Sequence, residues 1–66
     1  MTDAEFMDVA LQLAAEAARD GEVPVGCVIV RDGQIVGRGR NRREKARNAL
    51  SHAEVEAIGE ACSNLG

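Results

Sequence analysis

"EVPVGCVIVRDGQIVGRGRN", residues 22–41, is the stretch from which this 66-residue chain is most directly read. Val23, Val25, Val28, Ile29 and Val30 form a near-continuous β-branched run, which suits a strand buried on both faces. Pro24 belongs at the strand's entrance, where a missing N–H does least harm. Asp32-Gly33 is the signature of a two-residue hairpin turn. "QIVGRGRN" is then the return strand, in which Gly37 and Gly39 permit a bulge or the close approach of a ligand.

A helix is predicted upstream, over residues 3–19. Phe6, Val9, Ala10, Leu13, Ala14 and Ala17 share one helical face. Thr2 and Glu5 have capping-box spacing at its start, and Gly21 is placed to end it. Downstream, a basic segment over residues 40–50 leads into a second helix from about Ser51 to Ser63. Its predicted apolar stripe is Val55, Ile58 and Cys62. The order is α-β-β-α. Two strands and two helices are expected to shield one face of a hairpin. A strand that reads as buried on both faces, in a hairpin that needs more packing, implies further sequence or a partner chain.

Length and composition bound the function. A chain this short buries only about 60% of its unfolded surface. Cys27 and Cys62 are too few for a disulfide framework. The start, "MTDAEFMD", is acidic and lacks the apolar run of a secretory signal. No apolar stretch reaches the roughly 20 residues that cross a bilayer. These features suggest a soluble cytoplasmic protein with reduced thiols and no membrane partner. Net charge is −3, yet residues 38–47, "RGRNRREKAR", carry six basic side chains and one acidic, leaving −8 for the rest. Such asymmetry marks a patch for phosphate, or simply a solvated loop. Phe6 is the single aromatic residue, which leaves almost nothing to stack on a base.

The single histidine lies in "LSHAEVEAI", residues 50–58. Ser51 and Glu54 have the spacing of a capping box, which would make His52 an incidental first-turn residue. The same residues also permit chemistry. A neutral imidazole ligates zinc, and a carboxylate two positions on can exchange protons with a metal-bound water. One histidine is not a zinc site, since catalytic zinc takes about three protein ligands and a water. Cys62 lies ten residues along the same helix, roughly 15 Å away at 1.5 Å per residue, and cannot share a metal with His52. Cys27, inside the first strand, reads as a small core residue.

Taken together, "EVPVGCVIVRDGQIVGRGRN" and "HAEVEAI", which begins eleven residues beyond Asn41, resemble the N-terminal half of the zinc-dependent cytidine/deoxycytidylate deaminase superfamily. The pattern is most similar to bacterial tRNA-specific adenosine deaminases. These carry a leading amphipathic helix, a "VPVGA" strand, a hairpin, a G-x-N-R stretch and "HAE". The resemblance spans essentially all of residues 1–66, as a single partial deaminase domain. It implies an α/β fold, the α-β-β-α portion of a three-layer α/β/α cytidine-deaminase-like architecture. By resemblance His52 is a zinc ligand and Glu54 the catalytic proton shuttle. Asn41 holds the substrate nucleoside, and Val25 lies where the base pocket is lined. Arg40, Arg42, Arg43, Lys45 and Arg47 become candidate contacts to RNA phosphates. The implied reaction is hydrolytic conversion of a tRNA wobble adenosine to inosine, with one Zn²⁺ per complete subunit and a homodimeric assembly.

Three departures stand out. "NALS", residues 48–51, replaces the small threonine- or alanine-containing segment before "HAE". Cys27 replaces the alanine after "VPVG", as in related riboflavin-pathway deaminases. The P-C-x-x-C that completes the family signature does not occur in these 66 residues, so this chain alone is expected to be inactive. Two alternatives stay open. One is a deaminase of a small free base or nucleoside such as guanine, cytosine or a pterin-like ring. The other is a non-catalytic remnant acting as an interaction module.

Overall fold

The computed structural model describes residues 1–42 and 52–66. The elements are α1 (Asp3–Arg19), β1 (Gly26–Arg31), β2 (Gln34–Arg40) and α2 (Ala53–Leu65). This is the α-β-β-α order read from the sequence.

α1 forms where its periodicity places it. Thr2 and Glu5 close the capping box, Thr2 N–H donating to Glu5 Oε1 at 2.7 Å and Glu5 N–H to Thr2 Oγ1 at 3.2 Å. At the other end Gly21 takes φ 79°. Its N–H donates to Ala18 O, and Glu22 N–H donates to Ala17 O. Those two bonds are a Schellman motif, which needs a left-handed residue at Gly21. Phe6, Val9, Ala10, Leu13 and Ala14 are half-buried and Ala17 is fully buried, so the expected face is the inner one.

Asp32 and Gly33 both have positive φ, 52° and 77°, as a type I′ turn requires. They join Arg31 to Gln34, and the antiparallel ladder runs from there to the Gly26–Arg40 pair. The register shifts between Ile29 and Val30, leaving Val36 as the extra residue of a bulge. The carbonyl of Val36 is taken by Asn64 of α2, whose Nδ2 donates at 2.7 Å.

The two helices cover opposite faces of this hairpin, as a three-layer α/β/α arrangement requires, and not the single face expected of two helices on two strands. Side chains alternate along a strand. Gly37 and Gly39 share one face, and a Cβ on either would overlap the backbone of α2. Arg40 and its cross-strand partner Gly26 share the other face. A Cβ on Gly26 would overlap Ala10 O of α1, while Arg40 reaches Glu16 and Asp20 near the end of α1. The close approach that Gly37 and Gly39 permit is therefore that of a helix, not a ligand.

That approach also overturns the expected inner face of α2. Ala53, Ala57 and Ala61 are buried, while Val55 and Ile58 are 43% and 53% exposed and Cys62 is exposed. A helix backbone lying directly on glycine Cα atoms leaves room for methyl groups only. The larger side chains are turned outward. The expected helix start at Ser51 lies outside the described residues; the first helical residue is Ala53, with His52 at the N-cap. Both cysteines are free thiols, and Cys27 is half-buried. No helix among the described residues is long and apolar enough to cross a membrane.

The seam yields a paired prediction. Gly39→Ala places a methyl on Ala53 O and 2.7 Å from Ala57 N, an overpacking that should cost about 1–3 kcal/mol. Gly59→Ala meets nothing within 4 Å and lies inside α2, so it should stabilise by roughly 0.5–1 kcal/mol. Urea midpoints of the two variants should move in opposite directions.

Candidate active site

The first turn of α2 carries the candidate chemistry, and what caps it matters. An N-cap side chain normally accepts a hydrogen bond from the helix's first amides. His52 occupies that position with extended backbone, φ −92° and ψ 151°, and makes no side-chain cap bond. The acceptor comes instead from the end of β2: Ala53 N–H donates to Asn41 Oδ1 at 2.9 Å. The imidazole of His52 is thereby relieved of capping and stands 61% exposed. Glu54 is 60% exposed, with Oε1 3.7 Å from His52 Nδ1, too long for a hydrogen bond. Neither side chain is committed to the other.

Asn41 is anchored in turn. Its N–H donates to Val25 O at 3.2 Å, one step beyond the β1–β2 ladder. Val25, Asn41, His52 and Glu54 are thus gathered at one end of the sheet, although Asn41 and His52 are eleven positions apart in sequence. The structure brings together the four residues expected to ligate, shuttle protons and hold substrate.

The basic residues behave differently. Arg40, with a side chain only 15% exposed, lies 3.5 Å from Glu16 and 2.6 Å from Asp20. Arg42 forms a two-pronged pair with Glu56, Nε to Oε2 and Nη2 to Oε1, the latter at 2.8 Å. Arg38 lies 4.0 Å from Glu60. These guanidinium groups join elements of the fold to one another, a use that the charge run did not reveal. Arg43, Lys45 and Arg47 lie outside the described residues, as does Ser51.

Zinc can be tested against this donor set. His52 offers an exposed, uncommitted imidazole that fits one ligand position. Among the described residues no group of three His, Cys, Asp or Glu side chains converges on one point. Cys62 sits in the last turns of α2 and Cys27 within β1. These residues fit one corner of a zinc site and do not make a whole one. An apolar groove of about 420 Å³ lies elsewhere, between α1 and β1. Phe6, Met7, Val28 and Val30 line it with Asp3 at its rim, and none of the four gathered residues does.

Two outcomes test this geometry. Asn41→Ala removes the acceptor at the α2 N-terminus and should lower stability by about 1 kcal/mol, read as a fall in urea midpoint. The second concerns acid. Hydrogen bonding from Arg42 holds the Glu56 carboxyl below its ordinary 4.5, outweighing the opposing effect of burial. A depressed carboxyl stabilises the fold above its unfolded value, and that contribution is lost as pH falls through the folded value. Glu56→Gln should therefore be less stable than the parent near neutral pH, by under about 1 kcal/mol for a pair this exposed. The difference should vanish on acidification well below about pH 4.5.

The fold agrees with that of known proteins. Residues 1–66 match the family model of the cytidine and deoxycytidylate deaminase zinc-binding region. A tRNA-specific adenosine deaminase of Streptococcus pyogenes serotype M18 is 49% identical over 61 residues, which is 92% of this chain and 38% of the relative. A solved structure from work on A-to-I editing by tRNA deaminases at the wobble position superposes with a TM-score of 0.87 at 40% identity. It covers 96% of this chain and 48% of that one. Guanine deaminase from Bacillus subtilis superposes with a TM-score of 0.88, also at 40% identity, over 100% of this chain and 43% of its own. The chain spans about two fifths of the curated relative's length. It belongs to the cytidine and deoxycytidylate deaminase family, over that family's zinc-binding region.

Proposed function

We propose that the protein carrying this chain hydrolytically deaminates a nucleobase, with the wobble adenosine of a tRNA as substrate and inosine and ammonia as products. The observation that supports it is the exposed His52-Ala53-Glu54 turn, whose cap comes from Asn41 and not from the histidine. The relatives named for tRNA adenosine add the substrate class.

In this reading His52 supplies one zinc ligand, and the remaining ligands come from outside the described residues. Bound zinc supplies a water of lowered pKa. As that water's oxygen adds to the amidine carbon of the base, Glu54 carries the water's two protons in turn, one to the ring nitrogen of the amidine and one to the departing amino group. The ring thus keeps the oxygen as a carbonyl and gives up its amino group as ammonia. The Asn41 side-chain nitrogen, not used in the contact to Ala53, is available to the nucleoside. Val25 bounds the base from the β1 side. Tight RNA contact would draw on Arg43, Lys45 and Arg47, because Arg40 and Arg42 already hold carboxylates. A homodimer in the cytoplasm completes the proposal.

A small free base is the second reading, favoured by one observation. The guanine deaminase superposes as well as the tRNA deaminase. Assays of the full-length protein on a tRNA anticodon stem-loop, guanine and cytosine separate the two.

Glu54→Gln in the full-length protein should keep its zinc, measured by elemental analysis. It should lose at least about 10²-fold in kcat, the scale of one acid–base group. Retained turnover would sink the assignment. His52→Ala should lose both zinc and turnover. The isolated 66-residue chain should bind no stoichiometric zinc and deaminate nothing; firm one-to-one zinc would show that the ligand set is misread.

A further inference from the structure

Arg42 directly follows Asn41, and its fork closes on Glu56 in the first turn of α2. The backbone of Glu56 is committed too, its N–H donating to His52 O at 3.1 Å. One residue therefore grips the strand end through its carboxylate and the His52 peptide through its amide. Arg42 lies two positions past the end of β2, and His52 is the N-cap of α2. The Arg42–Glu56 pair therefore joins the stretch just past β2 to the start of α2. A planar guanidinium meeting a carboxylate with two parallel bonds fixes orientation as well as distance, which a lysine would not.

We propose that Arg42 and Glu56 form a positioning pair, which seats Asn41 Oδ1 on Ala53 N–H and so fixes how His52 and Glu54 are presented. Neither residue touches reacting atoms. The role rests on the reading that His52 and Glu54 carry the chemistry. Depression of the Glu56 carboxyl by Arg42 agrees with a tight pair.

The experiment is amide hydrogen exchange and steady-state kinetics on the full-length protein, comparing Arg42→Gln, Glu56→Gln and the double variant. Ala53 N–H protection should fall about fivefold in each single variant, the scale of one partly exposed charged pair. The double variant should be no worse than either single one. Asn41→Ala should also lower that protection, and Arg42→Gln added to it should change nothing further. Arg31→Gln breaks the remote Arg31–Asp32 pair at the hairpin and should leave Ala53 unchanged. In the same Arg42 and Glu56 variants kcat should fall on the order of tenfold or more, with KM moving less. Unchanged Ala53 protection, additive effects in the double variant, or lost protection with unchanged kcat would each overturn the proposal. If the unmutated protein deaminates neither a tRNA stem-loop nor a free base, the functional reading fails. The exchange measurement still decides whether the pair seats Asn41.

Discussion

The contact on which the rest depends is the seam between β2 and α2. Gly37 and Gly39 present no side chain, so α2 lies with its backbone almost on the strand. Only methyl groups fit between, and Ala53, Ala57 and Ala61 supply them. The seam is short on buried area, since a methyl group is worth only about 0.8 kcal/mol. Its value is geometric. Two backbones in direct contact have little freedom to slide or rotate, because any shift drives Cβ atoms into carbonyls. The first turn of α2 is set down at the end of β2, within reach of Asn41.

From that placement the site follows. A helix start with unpaired amides, brought against a strand end, needs an acceptor. Asn41 provides it across the fold. The residue at the N-cap is then free to be something other than a cap. Histidine is a poor N-cap by ordinary preference, and its presence there is understandable once the capping duty has moved. The ion pairs around the strand end extend the same logic. Arg40 secures β2 to α1 through Glu16 and Asp20, and Arg42 secures it to α2 through Glu56. Three consecutive residues thus fasten the strand end to both helices.

The same packing leaves an outer face on α2 in which Val55, Ile58 and Leu65 are each roughly half exposed. The apolar residues that a sequence pattern assigns to the core are the ones the seam turns away. Hydrophobic periodicity assumes that the inner face carries the larger side chains. When the surface beneath is glycine, steric exclusion outweighs the gain from burying a valine or isoleucine, and alanine takes the inner face.

Local signals in the chain were enough for much of the architecture. The capping box at Thr2–Glu5, the left-handed Gly21, the Asp32-Gly33 turn and the face of α1 are short-range features, each fixed by residues within one or two turns of each other. The placement of His52 and Glu54 at one helix start is likewise local, and its family resemblance was carried by contiguous motifs. Tertiary contact decided the rest. Which face of α2 is buried depends on glycines more than a dozen positions away. The cap at Ala53 comes from Asn41, across the connection over residues 43–51. The fate of Arg40 and Arg42 depends on carboxylates on separate helices, which a run of basic letters cannot disclose. Local chemistry selects the elements and the reactive groups. Close approach between backbones and long-range hydrogen bonds determine how those groups are held.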